Sequence, residues 1–206
     1  MSTFDNTIPG YKINEYILVL NPHEELRYKI HKVQDQFAKD YESTTALNIK
    51  PNIPLVKFFQ YEMMESKFLQ KINSLALTFK PIKVELKDYS SFPSHTIFIH
   101  VSNSSMITKM VKEIRKDSGR LFKLNEDNKP HFFNEPFIPI GIKLLPWQYE
   151  KAWNEYSHRH FTGRFIADSM LLLKRPVGDK RYQILSRIEF QNLLIPQTQQ
   201  GDLFAS

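Results

Sequence analysis

A short proline-containing motif occurs twice in the sequence, and it constrains the fold more than any other feature. Residues 51–56 read PNIPLV and residues 136–141 read PFIPIG, so the two copies match at an offset of 85 residues. The same offset pairs Phe68 with Trp153, each in the middle of the helix predicted to follow. Because predicted strands and helices recur in the same order around each copy, we interpret the chain as a duplicated unit.

The hydrophobic spacing predicts alternating strands and helices in both halves of the 206-residue chain. An apolar run at residues 16–20 predicts a buried strand, and Asn21 and Pro22 then predict the start of a long amphipathic helix. Further strands are expected at residues 50–59, 82–86, 96–101, 136–143, 165–173 and 182–190, and further helices around residues 64–75, 104–114 and 146–156. Residues 121–135 are polar and predict a loop.

The predicted fold class is therefore α+β, with a duplicated βαβαβ unit that forms two pseudo-symmetric lobes around a central cleft. We expect a single domain over residues 1–206, with lobe-forming repeats at about 16–88 and 96–190 and some exchange of strands between them. Proline inside a strand is normally confined to edges and irregular positions. Because both copies carry it at the same place, we expect the two motif strands to face a gap between the lobes.

Strand alternation predicts which side chains line this gap, because every second residue of a strand shares a face. For the first motif strand, the predicted lining is Asn52, Pro54, Val56 and Phe58. For the second motif strand, it is Phe137, Pro139, Gly141 and Lys143. Asn52 and Phe137 should then approach each other across the cleft. The residues expected to bind a ligand are Asn52, Phe58, Phe137 and Lys143.

The positive charge is concentrated in the second half of the chain. Residues 1–103 hold 12 basic and 11 acidic side chains, whereas residues 104–206 hold 16 and 11, which gives a formal net charge of +6. This excess is typical of attraction for an anionic partner such as RNA or a nucleotide. A solvated helix face and a basic turn also explain the excess, and we prefer that explanation because Glu113 and Asp117 interrupt the main basic cluster and a net charge of +6 is modest.

Several classes of protein are excluded by composition. The chain has no cysteine, so disulfides, thiolate zinc sites, iron–sulfur clusters and cysteine nucleophiles are ruled out, which fits a cytoplasmic protein. The six glycines are not spaced as a glycine-rich phosphate cradle. The start, MSTFDNTIPGY, does not read as a signal peptide, and no apolar run is long enough to cross a membrane. We expect a monomer with no cofactor and no metal.

The order of elements and the paired strand motifs resemble the 2H phosphoesterase superfamily, particularly its 2′-5′ RNA ligase-like branch. The resemblance covers about residues 16–190. It implies a His–apolar–Thr/Ser–apolar motif in each half, whose two histidines share acid and base work on a 2′,3′-cyclic or 2′-5′ phosphodiester. It also implies that the two hydroxyl groups bind the phosphate. Imidazole suits this work because its pKa lies near neutral pH.

The sequence departs from that pattern at all four motif positions. Asn52 and Pro54 stand where the first His and Thr are expected, and Phe137 and Pro139 stand where the second pair is expected. Asparagine and phenylalanine cannot exchange a proton usefully near pH 7, and proline lacks both a hydroxyl group and a backbone N–H. General acid–base catalysis contributes ~10²–10⁴-fold. We therefore expect that the chain has lost the phosphodiesterase activity and has kept the fold.

Two functions stay open. The first is a binding protein for a nucleotide, an RNA end or a small ligand. The second is an active cyclic phosphodiesterase, or an RNA 2′-5′ phosphodiester hydrolase or ligase, that uses substitute residues. The candidate substitutes are His131 above all, then Lys143, His100 and Arg164.

Two literal histidine motifs and a third functional hypothesis have weaker support than the two functions above. His100 and His160 each begin a literal His-x-Ser/Thr match, but they do not lie in equivalent elements, so we interpret both matches as chance. A dedicated RNA-binding module with stacking aromatic residues is a third, weaker hypothesis.

Overall fold

Two antiparallel sheets form the frame of the molecule. The computed structural model describes residues 11–192, and the start of the chain discussed above lies almost wholly outside this range. The elements in chain order are β1 (Ile13–Leu20), α1 (Glu24–Asp40), β2 (Ile53–Tyr61), α2 (Glu65–Ala76), β3 (Ile82–Phe92), β4 (Thr96–Val101), α3 (Ser105–Phe122), β5 (His131–Phe132), β6 (Phe137–Gly141), α4 (Pro146–Tyr156), β7 (Thr162–Ala167), β8 (Ser169–Pro176) and β9 (Gln183–Glu189).

The strand order shows an exchange between the two halves of the chain. The first sheet has the order β5-β2-β1-β8-β9, and the second sheet has the order β6-β4-β3-β7. Strand β3 of the first half therefore lies in the second sheet, and β8 and β9 of the second half lie in the first sheet. The core orders β2-β1-β8 and β6-β4-β3 correspond to each other, which confirms the predicted duplicated α+β fold.

The two proline motifs share an irregularity that fixes this correspondence. In β2, Val56 pairs with Leu18 and Pro54 pairs with Val19, so Leu55 is an extra residue that forms a bulge. In β6, Gly141 pairs with Ile97 and Pro139 pairs with Phe98, so Ile140 is the extra residue. Leu55 and Ile140 are separated by the offset of 85 residues that relates the motifs. Bulges tolerate a position without a ladder donor, and proline has no N–H to donate.

Each sheet is covered on one face by two helices. Helices α2 and α3 pack on the first sheet, where Phe58 stacks on Phe122 with ring centroids 4.3 Å apart and meets Phe68 at 5.4 Å. Helices α1 and α4 pack on the second sheet, where Phe37 and Tyr156 meet at 5.3 Å. These rings are almost fully buried, so the main apolar layers lie between sheet and helices.

Three local predictions need correction. Helix α1 begins at Glu24 rather than at Pro22 behind an Asn21 cap, and His23 occupies the cap position without a side-chain cap. The strand predicted at residues 165–173 is two strands, because the chain leaves the second sheet at Ala167 and enters the first at Ser169. The apolar pattern continues through this crossing because both strands bury residues, so periodicity does not reveal it. Strand β5 lies within the predicted loop.

Gly141 tests the packing at the second bulge. A Cβ atom at this position would lie 2.5 Å from Cε1 of Phe37, a contact that forces the buried ring to move. We expect Gly141→Ala to lower the free energy of unfolding by about 1–3 kcal/mol, measured by urea denaturation.

The matched control is Gly119→Ala in α3, where the nearest side-chain atom would lie at 3.7 Å. This variant should be neutral or stabilised by up to about 1 kcal/mol, because alanine favours a helix over glycine. Equal stabilities of the two alanine variants would contradict the packing described here.

Candidate ligand-binding cleft

The faces of the two sheets that the helices leave uncovered meet at the proline motifs. Strands β2 and β6 belong to different sheets and contact each other. Phe133 links them, because its N–H donates to the Leu55 carbonyl at 3.0 Å and its ring lies 6.3 Å from that of Phe137. The structure thus brings the two motif segments together at one cleft.

Three of the four motif positions lie on the cleft face of their sheets. Pro54 pairs with Val19, on the face opposite to the core residue Tyr16. Phe137 and Pro139 pair with alternate residues of β4 and are half-buried. Asn52 precedes β2, is half-buried, and donates its N–H to the Lys50 carbonyl at 2.8 Å. None of these four side chains offers a group that titrates near neutral pH.

The prediction that Phe58 lines the cleft is wrong. Phe58 is 1% exposed and packs between the first sheet and its helices, against Phe68 and Phe122. The bulge at Leu55 is the cause, because one extra residue moves every later side chain of β2 to the opposite face. Lys57, rather than Phe58, is the next cleft-facing residue after Pro54.

The same effect changes the assignment of Gly141 and Lys143. The Cα of Gly141 faces the ring of Phe37 in α1, on the helix side of the second sheet. Lys143 lies beyond the end of β6, is exposed, and has a φ of 52°. Strand alternation therefore does not place Lys143 on the cleft face.

An aromatic pocket occupies the cleft side of the second sheet. The rings of Phe92, Phe98 and Phe137 meet pairwise at 4.7–5.2 Å. They line a cavity of about 340 Å³ whose further lining includes the polar residues Ser90, His100, Ser104, Asn134 and Glu135. A cavity with ring walls and a few polar groups is suited to a planar, partly polar ligand.

Two of the histidines considered above belong to this region. His100 is exposed, lines the aromatic pocket, and lies opposite Phe137 in the β4–β6 register. His131 is exposed, lies opposite Lys57 in the β2–β5 register, and has its ring 4.5 Å from that of Phe133. Arg164 pairs with Glu85 in β3 and borders a different cavity.

A buried carboxylate lies on the cleft face of the first sheet. Glu15 is 5% exposed and accepts hydrogen bonds from Lys57 at 2.8 Å, from Arg175 at 2.8 and 2.9 Å, and from the Tyr182 hydroxyl. We call these four residues the Glu15 cluster. Burial raises the pKa of Glu15, but the donors from Lys57, Tyr182 and Arg175 outweigh it and hold the pKa below its usual range.

Sequence reasoning missed the aromatic pocket and the Glu15 cluster. The alternation of TIFIHV in β4 does carry a signal for the pocket, because Phe98 and His100 must share a face opposite to Ile97 and Ile99. The cluster has no local signal, since Glu15 and Arg175 are 160 residues apart.

Neither a metal site nor a membrane-spanning helix is found among residues 11–192. Within residues 11–192, no three of the His, Asp and Glu side chains are grouped so that they could hold a metal ion. Over the same part of the chain, each helix is too short or too polar to span a bilayer.

The lowered pKa of Glu15 makes stability depend on pH. A carboxyl group whose pKa is lower in the folded state stabilises the fold fully above its unfolded pKa of about 4.3 and loses this contribution as the pH falls through the folded value. We expect Glu15→Gln to be less stable than the wild type at pH 7, with a difference that shrinks as the pH falls below about 4. Urea denaturation over a pH series measures this difference.

Arg175→Gln is the companion variant. It keeps Glu15 but removes one donor, so the acid-dependent loss of stability should begin at a higher pH than in the wild type. A stability difference between the wild type and Glu15→Gln that is independent of pH would contradict the assigned ionisation.

Comparison with known proteins agrees with the fold and identifies the family. The model of the 2′-5′ RNA ligase superfamily matches residues 21–179. No curated protein matches the sequence. Among solved structures, TT0787 of Thermus thermophilus is similar with a TM-score of 0.59 and 14% identity, covering 86% of this chain and 98% of that one.

Escherichia coli LigT has the same fold. Its apo form is similar with a TM-score of 0.56 and 12% identity, and its complex with 3′-AMP with a TM-score of 0.53 and 12% identity, each covering 87% of this chain and 98% of LigT. LigT has also been solved in complex with NADP⁺, with phosphate and with ATP. The match to the family model extends over most of the chain, and the chain therefore belongs to the 2′-5′ RNA ligase superfamily, the group of 2H phosphoesterases that its paired motifs resemble.

Proposed function

We propose that this protein is a non-catalytic member of its family that binds a nucleotide or an RNA end in the cleft. The observation that carries the proposal is the occupation of the motif positions by Asn52, Pro54, Phe137 and Pro139, on strands that contact each other at the cleft. A phosphodiester reaction needs one group to accept a proton and another to supply one. Neither motif offers such a group.

The aromatic pocket supports a ligand with a planar ring. Phe92, Phe98 and Phe137 present ring surfaces beside hydroxyl and amide groups of the pocket rim. Stacking of a base on an aromatic side chain contributes about 1–3 kcal/mol and tolerates different bases. The complexes of LigT with 3′-AMP, NADP⁺ and ATP make a nucleotide the first ligand to test.

We also propose that the chain acts as one domain and as a monomer in the cytoplasm. A single domain is supported by the pairing of strands from both halves in each sheet. The absence of cysteine fits a reducing compartment.

Binding of 3′-AMP, measured by titration calorimetry, tests the proposed ligand class. Phe137→Ala should weaken binding by about 1–3 kcal/mol, because it removes one stacking surface. Tyr28→Ala is the matched control, since this tyrosine is exposed on α1 and does not line the pocket. Equal binding to the wild type and to Phe137→Ala would contradict the assignment of the base to the aromatic pocket.

An assay with 2′,3′-cyclic AMP tests the loss of catalysis. We expect no product above the uncatalysed rate, since the acid and base that each contribute to the ~10²–10⁴-fold effect of proton transfer are missing. Turnover that disappears in His131→Ala would overturn the proposal.

The alternative of an active enzyme has one specific observation in its favour. His100 is exposed on the cleft face directly opposite Phe137, where it could replace the imidazole that the motif lacks. Turnover that depends on both His100 and His131 would identify a relocated acid–base pair. Lys143→Ala, outside the strand, is the control for such an experiment.

A further inference from the structure

The Glu15 cluster lies on the face of the first sheet that α2 and α3 leave uncovered. A carboxylate that is almost fully buried lies on the face of the first sheet opposite to α2 and α3. It is held by groups from separate strands: Lys57 of β2, Arg175 of β8, and Tyr182, which precedes β9. The Arg175 guanidinium also lies 4.5 Å from the centre of the Tyr182 ring. The packing of three strands therefore directs these donors at one point.

The donor set matches the chemistry of a phosphate group. Two cations and a hydroxyl converge on one anion, and one guanidinium nitrogen of Arg175, Nη2, lies 2.8–2.9 Å from both carboxylate oxygens. Lysine, arginine and hydroxyl donors of this kind also bind phosphate oxygens. Two positive charges face one negative charge, so the cluster keeps a positive charge of one. The Lys57 side chain is still 37% exposed, whereas that of Glu15 is 7% exposed. An anion entering from the cleft can therefore reach Lys57 first.

The cluster adjoins the motif of the first half. Because Leu55 is the extra residue of the bulge, Lys57 follows Pro54 on the cleft face of β2. Lys57 also lies opposite His131 in the β2–β5 register. Lys57 is thus the next cleft-facing residue, along β2, after the position where the family's first hydroxyl group is expected.

We propose that Lys57, Arg175 and Tyr182 form a phosphate subsite that Glu15 keeps closed by acting as an internal substitute for the ligand phosphate. A ligand with a phosphate at this end of the cleft must displace Glu15, so the wild-type protein favours ligands that carry little negative charge there. Glu15 is then the residue that sets the charge specificity of the cleft. This inference rests on the proposed function only for the identity of the natural ligand.

Inorganic pyrophosphate is a suitable probe because its binding does not depend on recognition of a base. We expect Glu15→Gln to bind pyrophosphate at least about tenfold more tightly than the wild type, which corresponds to about 1.4 kcal/mol, because a neutral amide replaces the carboxylate that competes for the same charged donors. Titration calorimetry measures this ratio. In Glu15→Gln with Lys57→Gln, most of the gain should be lost.

Glu62→Gln is the matched control for net charge. Glu62 accepts a hydrogen bond at 2.6 Å from Lys174, the neighbour of Arg175 in β8, but this pair lies on the opposite face of the strand. The control gains the same formal charge as Glu15→Gln, and we expect its affinity for pyrophosphate to stay within about twofold of the wild-type value, because Lys174 keeps Glu65 as a second partner at 2.5 Å.

Two further measurements test the same subsite in case Glu15→Gln is unstable. Glu15→Asp keeps the net charge and shortens the side chain by one methylene, so it should show a smaller gain of the same sign. Pyrophosphate should also raise the melting temperature of Glu15→Gln more than that of the wild type, because binding to the native state stabilises it.

The outcomes separate this inference from the proposed function. Equal gains in Glu15→Gln and Glu62→Gln, or no gain in either variant of Glu15, would overturn the closed phosphate subsite, whatever the result with 3′-AMP. A gain confined to the Glu15 variants supports it even when 3′-AMP fails to bind, and that failure counts against the nucleotide proposal alone.

Discussion

Both halves of the molecule depend on a proline that cannot donate a hydrogen bond to its sheet. Pro54 and Pro139 each precede a bulge residue, and the carbonyl groups at these bulges are satisfied from outside the regular ladder. The Phe133 N–H donates to the Leu55 carbonyl at 3.0 Å, and the Gln34 side chain donates to the Pro139 carbonyl at 2.8 Å. Buried carbonyl groups need such partners. Each irregular strand is therefore fixed by a donor from another element, and in the first half that donor also carries a ring into the cleft.

The bulges decide which side chains belong to the core and which to the cleft. Past Leu55, Phe58 lies in the apolar layer under α2 and α3, and Lys57 lies in the cleft. Past Ile140, Gly141 faces Phe37 and its lack of a side chain leaves room for that ring. The backbone is thus pseudo-symmetric while the linings differ, because the first sheet contributes charged groups and the second contributes aromatic rings.

The fold was predictable from the sequence to a large extent, whereas the site was predictable only in part. The offset between the motifs and the apolar spacing at residues such as Phe68 are local signals, and they identified the duplication and nearly all elements. Phe137 and Pro139 were assigned correctly to the cleft face, since they precede the bulge. Phe58 was misassigned because a bulge leaves no trace in a strictly alternating pattern. Pairing of distant groups such as Glu15 with Arg175 is set by strand exchange, which the sequence allowed but did not specify.

The net charge of +6 suggests attraction for anions, but little of this positive charge is free in the cleft. Several of the basic residues that create the excess, such as Lys112 and Lys116, are exposed on α3, whose packing partner is the helix-covered face of the first sheet. In the cleft itself, Lys57 and Arg175 are already bound to Glu15. Exposed charges are screened within about 8–10 Å at physiological ionic strength. For the proposed ligand we therefore expect recognition in the cleft to depend mainly on ring contacts with Phe92, Phe98 and Phe137. An anionic group of that ligand would contribute only by taking the place of the Glu15 carboxylate.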